Sequence, residues 1–228
     1  MDFDIVTNNL KKAFDVWKDN LVAYLVGMLI VVIAGAIIGS VGFMFGGAAI
    51  IAAAAAGSFA GIGMALIAML VASVLAVLIT VPLTYGTFYM AIKGARGEKV
   101  EISDVFYAFK SVSAFIRALI FGIVFAILCA IFSIIPLIGT LIFLVLFTYA
   151  CYIYIMTPSE GLGYAFKESF NIAKENIVET IVVILIFAVL LIIGSLLFGI
   201  GQLITGPIAM IFVAYALKEL KPEIKDAS

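Results

Sequence analysis

The stretch from Leu21 to Ile92 contains no Asp, Glu, Lys, Arg or His, and this absence of charge constrains the fold more than any other feature. A helix needs about 20 apolar residues to cross the hydrocarbon core of a bilayer, so the stretch accommodates at least two crossings. Two further charge-free blocks, Ala118–Met156 and Thr180–Leu217, each accommodate one pair of crossings. The sequence therefore predicts an all-α membrane protein with six transmembrane helices in three hairpins.

Composition is consistent with one integral membrane domain. Of the 228 residues, 66% are hydrophobic and 12% are charged, about half the charged fraction of an ordinary soluble domain. The net charge is −1 and no basic cluster is present, which argues against nucleic acid as a partner. Histidine, the commonest general base and transition-metal ligand, is absent. We therefore expect no enzyme activity, no cofactor and no metal site.

The charged segments divide the single domain, residues 1–228, into alternating surface and membrane parts. The predicted parts are an amphipathic helix at 1–20, spans one and two at 21–92, a charged loop with a short amphipathic helix at 93–113, spans three and four at 114–156, an amphipathic helix at 157–176, spans five and six at 177–217 and a tail at 218–228.

An interfacial amphipathic helix is predicted before each hairpin. In the first, apolar residues recur every three or four positions from Phe3 to Leu21 and include Phe14 and Trp17. The second begins with Ser103 as N-cap and Asp104 in its first turn, and its apolar stripe comprises Val105, Phe109, Val112 and Ile116. The third begins at Thr157, where Thr, Pro and Glu occupy the N-cap, first and third helical positions.

Within the first charge-free block, the sequence does not decide the structure of one segment. Crossing one is predicted at Leu21–Gly39 and crossing two at about Gly63–Ile92, with a bend at Pro82. The Gly- and Ala-rich segment Ser40–Ile62 between them could form an outer loop, a re-entrant hairpin or a continuation of either helix. Glycine pairs spaced four residues apart predict close helix packing and a possible homo-oligomer through these helices. The pairs are Gly35 and Gly39, Gly42 and Gly46, and Gly57 and Gly61.

The distribution of positive charge predicts orientation. All 13 Lys and Arg residues lie outside the three outer turns, two of which are predicted near Pro136–Gly139 and Gly199–Gln202. Because Lys and Arg favour cytoplasmic loops, we expect both termini in the cytoplasm and a multi-pass protein of the plasma membrane. The recurrence of Tyr107-Ala-Phe-Lys110 as Tyr164-Ala-Phe-Lys167 suggests a threefold internal pseudo-repeat of amphipathic helix and hairpin.

Candidate site residues are few. Arg117 and Glu179 lie about one turn inside crossings three and five, where they could form an inter-helix ion pair, contact a lipid headgroup or act as ordinary boundary anchors. The aromatic residues near the inner ends are predicted to be interfacial anchors. They are Trp17, Tyr85, Tyr89, Tyr152, Tyr154 and Tyr215. Cys129 and Cys151 fall at different depths and are expected to pack as free thiols.

A series of short motifs carries a resemblance over about residues 1–220. The series comprises Gly86, the turn Lys93–Gly97, Asp104-Val-Phe106, Ile134-Ile-Pro-Leu-Ile-Gly139 and Ala165-Phe-Lys-Glu-Ser169. It resembles a large family of archaeal and bacterial six-span proteins of unknown function, which are similar to the membrane domain attached to some glycerophosphodiester phosphodiesterases. The phosphodiesterase catalytic domain, with its His and Glu metal ligands, has no counterpart in these residues. The resemblance therefore implies a lipid-facing membrane module and brings no activity or site residues.

The favoured function is a non-enzymatic module that interacts with lipids or organises the membrane through its amphipathic helices. The first alternative is an oligomeric channel or facilitator for a small neutral or apolar solute. The second is a membrane scaffold for a partner protein. The expected partners are thus membrane lipids, a second copy of the chain or a membrane protein.

Overall fold

The fold is a bundle of helices, described by a computed structural model for residues 3–135, 137–196 and 200–224. The α-helices are α1 (Phe3–Asp19), α2 (Leu21–Gly42), α3 (Ala48–Ala55), α4 (Phe59–Ala95), α5 (Val112–Phe132), α6 (Ile138–Phe147), α7 (Ala150–Met156), α8 (Gly161–Glu175), α9 (Ile177–Leu196) and α10 (Gln202–Leu220). A π-helical turn, Phe43–Gly47, joins α2 to α3, and a 3₁₀ helix, Ile102–Lys110, lies between α4 and α5.

Six helical stretches in the described part are long and apolar enough to cross a membrane. They are α2, α4, α5, the stretch Ile138–Met156 formed by α6 and α7, α9 and α10. Their number confirms the prediction from the charge-free blocks and supports a multi-pass membrane protein. Pro136 and Gly199, predicted in outer turns, lie outside the described residues, as does the side chain of Phe3.

The open segment Ser40–Ile62 continues both neighbouring helices. Helical structure runs unbroken from α2 through the π-helical turn into α3, and α4 begins at Phe59. Gly57 permits the turn between them with a φ of +64°, and the Ser58 side chain caps α4 by accepting a hydrogen bond from the Gly61 amide. The predicted crossings, one ending at Gly39 and the other beginning at Gly63, are therefore too short. With 37 residues α4 extends about 55 Å, well beyond a hydrocarbon core of about 30 Å.

The glycine pairs differ in what they do. A Cβ on Gly46 would collide with the Met69 side chain, and one on Gly61 would lie 2.9 Å from the Ala53 Cβ, so both glycines allow close packing within the first hairpin. This agrees with the packing role predicted for them. Gly35 and Gly39 have no other residue within 4 Å of the position that a Cβ would occupy, and they take no part in this packing.

Helix α1 packs against the end of α10. The Asn9 side-chain amide donates a hydrogen bond of 2.7 Å to the Glu219 carboxylate, and the Lys12 ammonium lies 5.8 Å from the centre of the Tyr215 ring. The face turned to the bundle includes Asn9, Ala13 and Trp17, whereas Phe14 is 47% exposed. Phe14 therefore lies on the face of α1 turned away from the bundle, and the interfacial position of this helix stays a prediction.

The 3₁₀ helix packs through Asp104 on the C-terminal part of α4, which contains Lys93. This carboxylate accepts hydrogen bonds from the Lys93 ammonium at 2.8 Å and from the Glu101 amide at 2.9 Å. Glu101, rather than the predicted Ser103, is the N-cap residue, and Asp104 lies in the first turn as predicted. We call the end of the bundle that carries α1, the 3₁₀ helix and α8 the charged end.

The apolar stripe predicted for the second amphipathic helix does not lie on one helix face. The chain is extended at Ser111, whose hydroxyl caps α5 by accepting from the Ala114 amide, so the stripe is divided between two helices. Val105 is buried, but the other three members are between 42% and 76% exposed. These three are Phe109, Val112 and Ile116.

Helix α8 begins later than predicted. Thr157 is the C-cap of α7, where its hydroxyl donates to the Ile153 carbonyl, and α8 begins at Gly161, which has a φ of +82°. The helix then runs back along α7 and α6. The buried Ser169 hydroxyl donates a hydrogen bond of 2.9 Å to the Leu146 carbonyl, close to the interruption between α6 and α7.

We expect Ser169→Ala to lower the free energy of unfolding by about 1–2 kcal/mol, because the Leu146 carbonyl would lose the hydrogen bond that it accepts from the buried Ser169 hydroxyl. Unfolding of the purified protein in detergent, followed by circular dichroism, measures this. Ser73→Ala is the matched control, since the exposed Ser73 hydroxyl bonds only to the Met69 carbonyl of its own helix. Equal stability of the two variants would contradict the prediction.

The junctions between α1 and α2 and between α8 and α9 are alike. Asn20 and Asn176 occupy them, and each side-chain amide donates to the carbonyl four residues earlier, Val16 or Ile172, at 3.0 Å. The two Tyr-Ala-Phe-Lys motifs are placed differently, since Lys110 lies at the end of the 3₁₀ helix and Lys167 within α8. The threefold pseudo-repeat stays a prediction.

Candidate functional site: an apolar cavity among the spanning helices

A cavity of about 670 Å³ lies between α4, α5, α6, α7, α9 and α10. Its volume falls within the range of about 300–1,000 Å³ that is typical of small-molecule and cofactor sites. Many of the residues that line it are large and apolar or aromatic. They include Phe88, Phe121, Phe125, Phe147, Ile184 and Phe187.

Three of the polar side chains in the wall, those of Thr80, Thr148 and Tyr152, already make hydrogen bonds. The Thr80 and Thr148 hydroxyls donate to the carbonyls of Ala76 and Leu144 in their own helices, so both residues present methyl groups to the cavity. The Tyr152 hydroxyl donates to the Met210 carbonyl of α10 at 3.0 Å. Among the described residues that line the cavity there is no Asp, Glu, Lys or Arg. Such a wall suits an apolar molecule and offers an ion no compensating charge.

A column of aromatic rings forms one side of the cavity. The ring centre of Phe121 lies 5.6 Å from that of Phe125 and 5.7 Å from that of Phe166 in α8. Phe125 contacts Phe143 edge to face at 4.8 Å, which extends the column toward the far end of the bundle. These stacked and edge-to-face contacts fix the ring positions. This side of the cavity is therefore preformed.

The helices around the cavity depart from regular geometry beside it. The stretch Ile138–Met156 is interrupted at Thr148 and Tyr149, and Thr148 lines the cavity. Pro82, within α4, has no amide to continue the helical hydrogen bonds and lies between the lining residues Val81 and Thr84. Interrupted helices of this kind occur at binding sites in membrane transporters, where irregular backbone lines a cavity.

The structure does not bring Arg117 and Glu179 together as an ion pair. Arg117 lies in the second turn of α5, next to the lining residue Ala118, and its Nε atom is buried without a hydrogen-bond partner. Glu179 lies in the first turn of α9. No ion pair between Arg117 and Glu179 is found among the described residues, and the predicted role of each residue stays a prediction.

Most of the predicted interfacial anchors are inside the bundle. Trp17, Tyr85, Tyr152 and Tyr154 are at most 8% exposed, so they do not form a belt on the lipid-facing surface. The tyrosines are buried because the 3₁₀ helix, α1 and α8 cover the charged end of the bundle, and Trp17 is buried because α1 packs on that end. Tyr89 and Tyr215 are half-buried. Tyr85 and Tyr152 belong instead to the wall of the cavity.

The described cysteines and carboxylates do not form a metal site. Both cysteines are free, and the buried Cys151 lines the cavity. No group of three or more His, Cys, Asp or Glu residues that could hold a metal ion occurs within 3–135, 137–196 and 200–224.

Comparisons with known proteins identify no relative. No protein-family model, curated protein or solved structure matches the chain. The resemblance to the six-span family is therefore still a prediction, and function has to be argued from the cavity and the helices around it.

Proposed function

We propose that this chain is a non-enzymatic membrane protein that binds the hydrocarbon part of a lipid, or a similar apolar chain, in the cavity. The observation that carries the proposal is a preformed space of about 670 Å³ whose wall is apolar and aromatic. Lipids are abundant in the bilayer, and their apolar chains match such a wall. The buried aromatic column supplies fixed surfaces for dispersion contacts along an extended chain.

The orientation that follows from the positive charges supports this function. With both termini in the cytoplasm, the charged end of the bundle would lie at the inner leaflet of the plasma membrane. The amphipathic helix α1 would then lie at headgroup level, with the exposed Phe14 and the exposed Lys11 and Lys18 toward the lipid. A lipid whose chain enters the cavity would have its headgroup near this level.

The test is native mass spectrometry of protein extracted gently with its own lipids. We expect one lipid class to be retained at fixed stoichiometry and to be bound more weakly by Ala188→Phe, because Ala188 lines the cavity and a phenyl ring there would occupy part of the space available to the lipid chain. Ala126→Phe is the matched control, since Ala126 is exposed on the outer face of α5. Unchanged retention of the same lipid by Ala188→Phe would place binding outside the cavity and would overturn the proposal.

A second candidate function is facilitated passage of a small neutral or apolar solute. The interruption at Thr148 and Tyr149 beside an uncharged cavity favours it, because such interruptions line the pathways of transporters. Purified protein in liposomes should then raise solute flux above that of empty liposomes, and Ala188→Phe should lower it. Flux equal to that of empty liposomes would leave lipid binding as the function.

A further inference from the structure

Three residues near the charged end of the cavity, Arg117, Tyr85 and Tyr154, carry polar atoms for which no hydrogen bond to another described residue is found. The buried Nε atom of Arg117 has no hydrogen-bond partner, and the residue forms no ion pair within the part of the chain that the structure describes. The hydroxyls of Tyr85 and Tyr154, each residue at most 4% exposed, likewise make no hydrogen bond to another described residue. By contrast, the Tyr152 hydroxyl in the cavity wall donates a hydrogen bond to the Met210 carbonyl.

The three side chains come from three helices and converge on one place. The ring centre of Tyr85 in α4 lies 6.4 Å from those of Phe121 in α5 and Tyr154 in α7. Arg117 lies one turn before Phe121 on the same face of α5. Tyr85 and Phe121 line the cavity, so the cluster adjoins its end.

We propose that Arg117, Tyr85 and Tyr154 bind the oxyanion headgroup, a carboxylate or a phosphate, of the amphiphile whose chain occupies the cavity. The assignment rests on the proposed function and specifies its ligand. A guanidinium at the edge of a membrane core without a counter-charge is costly, and an oxyanion supplies both the charge and the acceptors. Arg favours carboxylate and phosphate because its planar fork donates two parallel hydrogen bonds, and the two phenol hydroxyls can donate to the same group.

The experiment compares three probes that share one chain. The purified full chain, freed of lipid in a neutral detergent, is titrated with oleate, oleyl phosphate and oleyl alcohol, and the bound species are counted by native mass spectrometry. We expect both anions to bind one to one and more tightly than the alcohol. Arg117→Gln should weaken anion binding by about tenfold or more and leave alcohol binding within about twofold.

Further variants separate charge recognition from general effects. Arg117→Lys keeps the charge and should retain most anion affinity, whereas Tyr85→Phe should weaken anion binding by about threefold to tenfold. Lys174→Gln removes the same charge from an exposed position of α8 and should change nothing. The midpoint of thermal unfolding, measured for each variant, shows whether it is folded.

The outcomes distinguish this assignment from the proposed function. If all three probes bind alike and Arg117→Gln changes none of them, the headgroup assignment is overturned while lipid binding in the cavity stands. If no probe binds, or if Ala188→Phe leaves all binding intact, both fail. Preference for oleyl phosphate over oleate would identify a phosphorylated lipid as the source of the headgroup, and the reverse would identify a free fatty acid.

Discussion

Replacing Gly86 by alanine is expected to detach the 3₁₀ helix from α4. Gly86 faces this helix so closely that a Cβ on it would overlap the Val105 carbonyl oxygen, and backbone atoms cannot rotate away as a flexible side chain can. Overpacking of this kind costs about 1–3 kcal/mol where side chains can adjust, so we expect a loss at or above about 3 kcal/mol. Unfolding in detergent measures the loss.

A local measurement accompanies the global one. Lys99, in the segment between α4 and the 3₁₀ helix, is exposed and offers trypsin a site. Cleavage there should become faster in Gly86→Ala, because the segment would no longer be held against α4. Gly35→Ala is the matched control, since that glycine lies in a spanning helix with no other residue within 4 Å of the added methyl group. A Gly86→Ala protein as stable as Gly35→Ala would show that the two elements do not pack this closely.

The spanning helices could be predicted from the sequence because burial of charge in hydrocarbon is costly enough to override other local preferences. The same signal says nothing about where a helix stops inside a charge-free block. The hairpin turn at Gly57 and Ser58 was visible only as a glycine followed by an N-cap residue, in a segment rich in other glycines. That is why Ser40–Ile62 stayed open among three alternatives.

The cavity could not be predicted, because a void depends on how side chains from several helices meet and has no pattern along the chain. The tyrosines were misplaced for a related reason. Spacing and depth place Tyr85 and Tyr154 near one end of the bundle, but they do not tell which way a residue points once other helices cover that end. Burial of these residues depends on the 3₁₀ helix and α8, whose docking is a tertiary property.

One sequence pattern does point toward the cavity, namely a proline inside each of two spanning helices. Thr80-Val-Pro82 in α4 and Thr205-Gly-Pro207 in α10 share a Thr-x-Pro pattern. Near its end, each helix also carries a similar tripeptide, Ala91-Ile-Lys93 or Ala216-Leu-Lys218. A proline inside a spanning helix marks a place where a carbonyl loses its usual donor. Two such helices, both of which contribute lining residues, point to the middle of the bundle as the place to look for a site.

Replacing Asp104 by alanine is the second change with a large expected effect. It removes the acceptor of the Lys93 and Lys110 ammonium groups and of the Glu101 amide, and leaves Lys93 largely buried without a counter-charge. Breaking a fully buried pair costs about 3–5 kcal/mol, and because Lys93 keeps 18% of its side chain exposed we expect about 2–3 kcal/mol. Glu98→Gln, which disrupts the exposed contact of Glu98 with Arg96, should cost at most about 0.5 kcal/mol.

The pH dependence of stability gives this prediction an independent readout. Burial opposes ionisation of Asp104, but the hydrogen bonds from Lys93 and the Glu101 amide, together with the charges of Lys93 and Lys110, hold its pKa below the usual value. A lowered pKa contributes stability that is complete above the unfolded-state pKa, about 3.9, and is lost as the pH falls through the folded-state value. The difference in free energy of unfolding between the unsubstituted protein and Asp104→Asn should therefore be constant from about pH 5 to 7 and become smaller below about pH 4. A deficit that persists unchanged at about pH 3 would mean that the carboxylate charge does not fasten the 3₁₀ helix to α4.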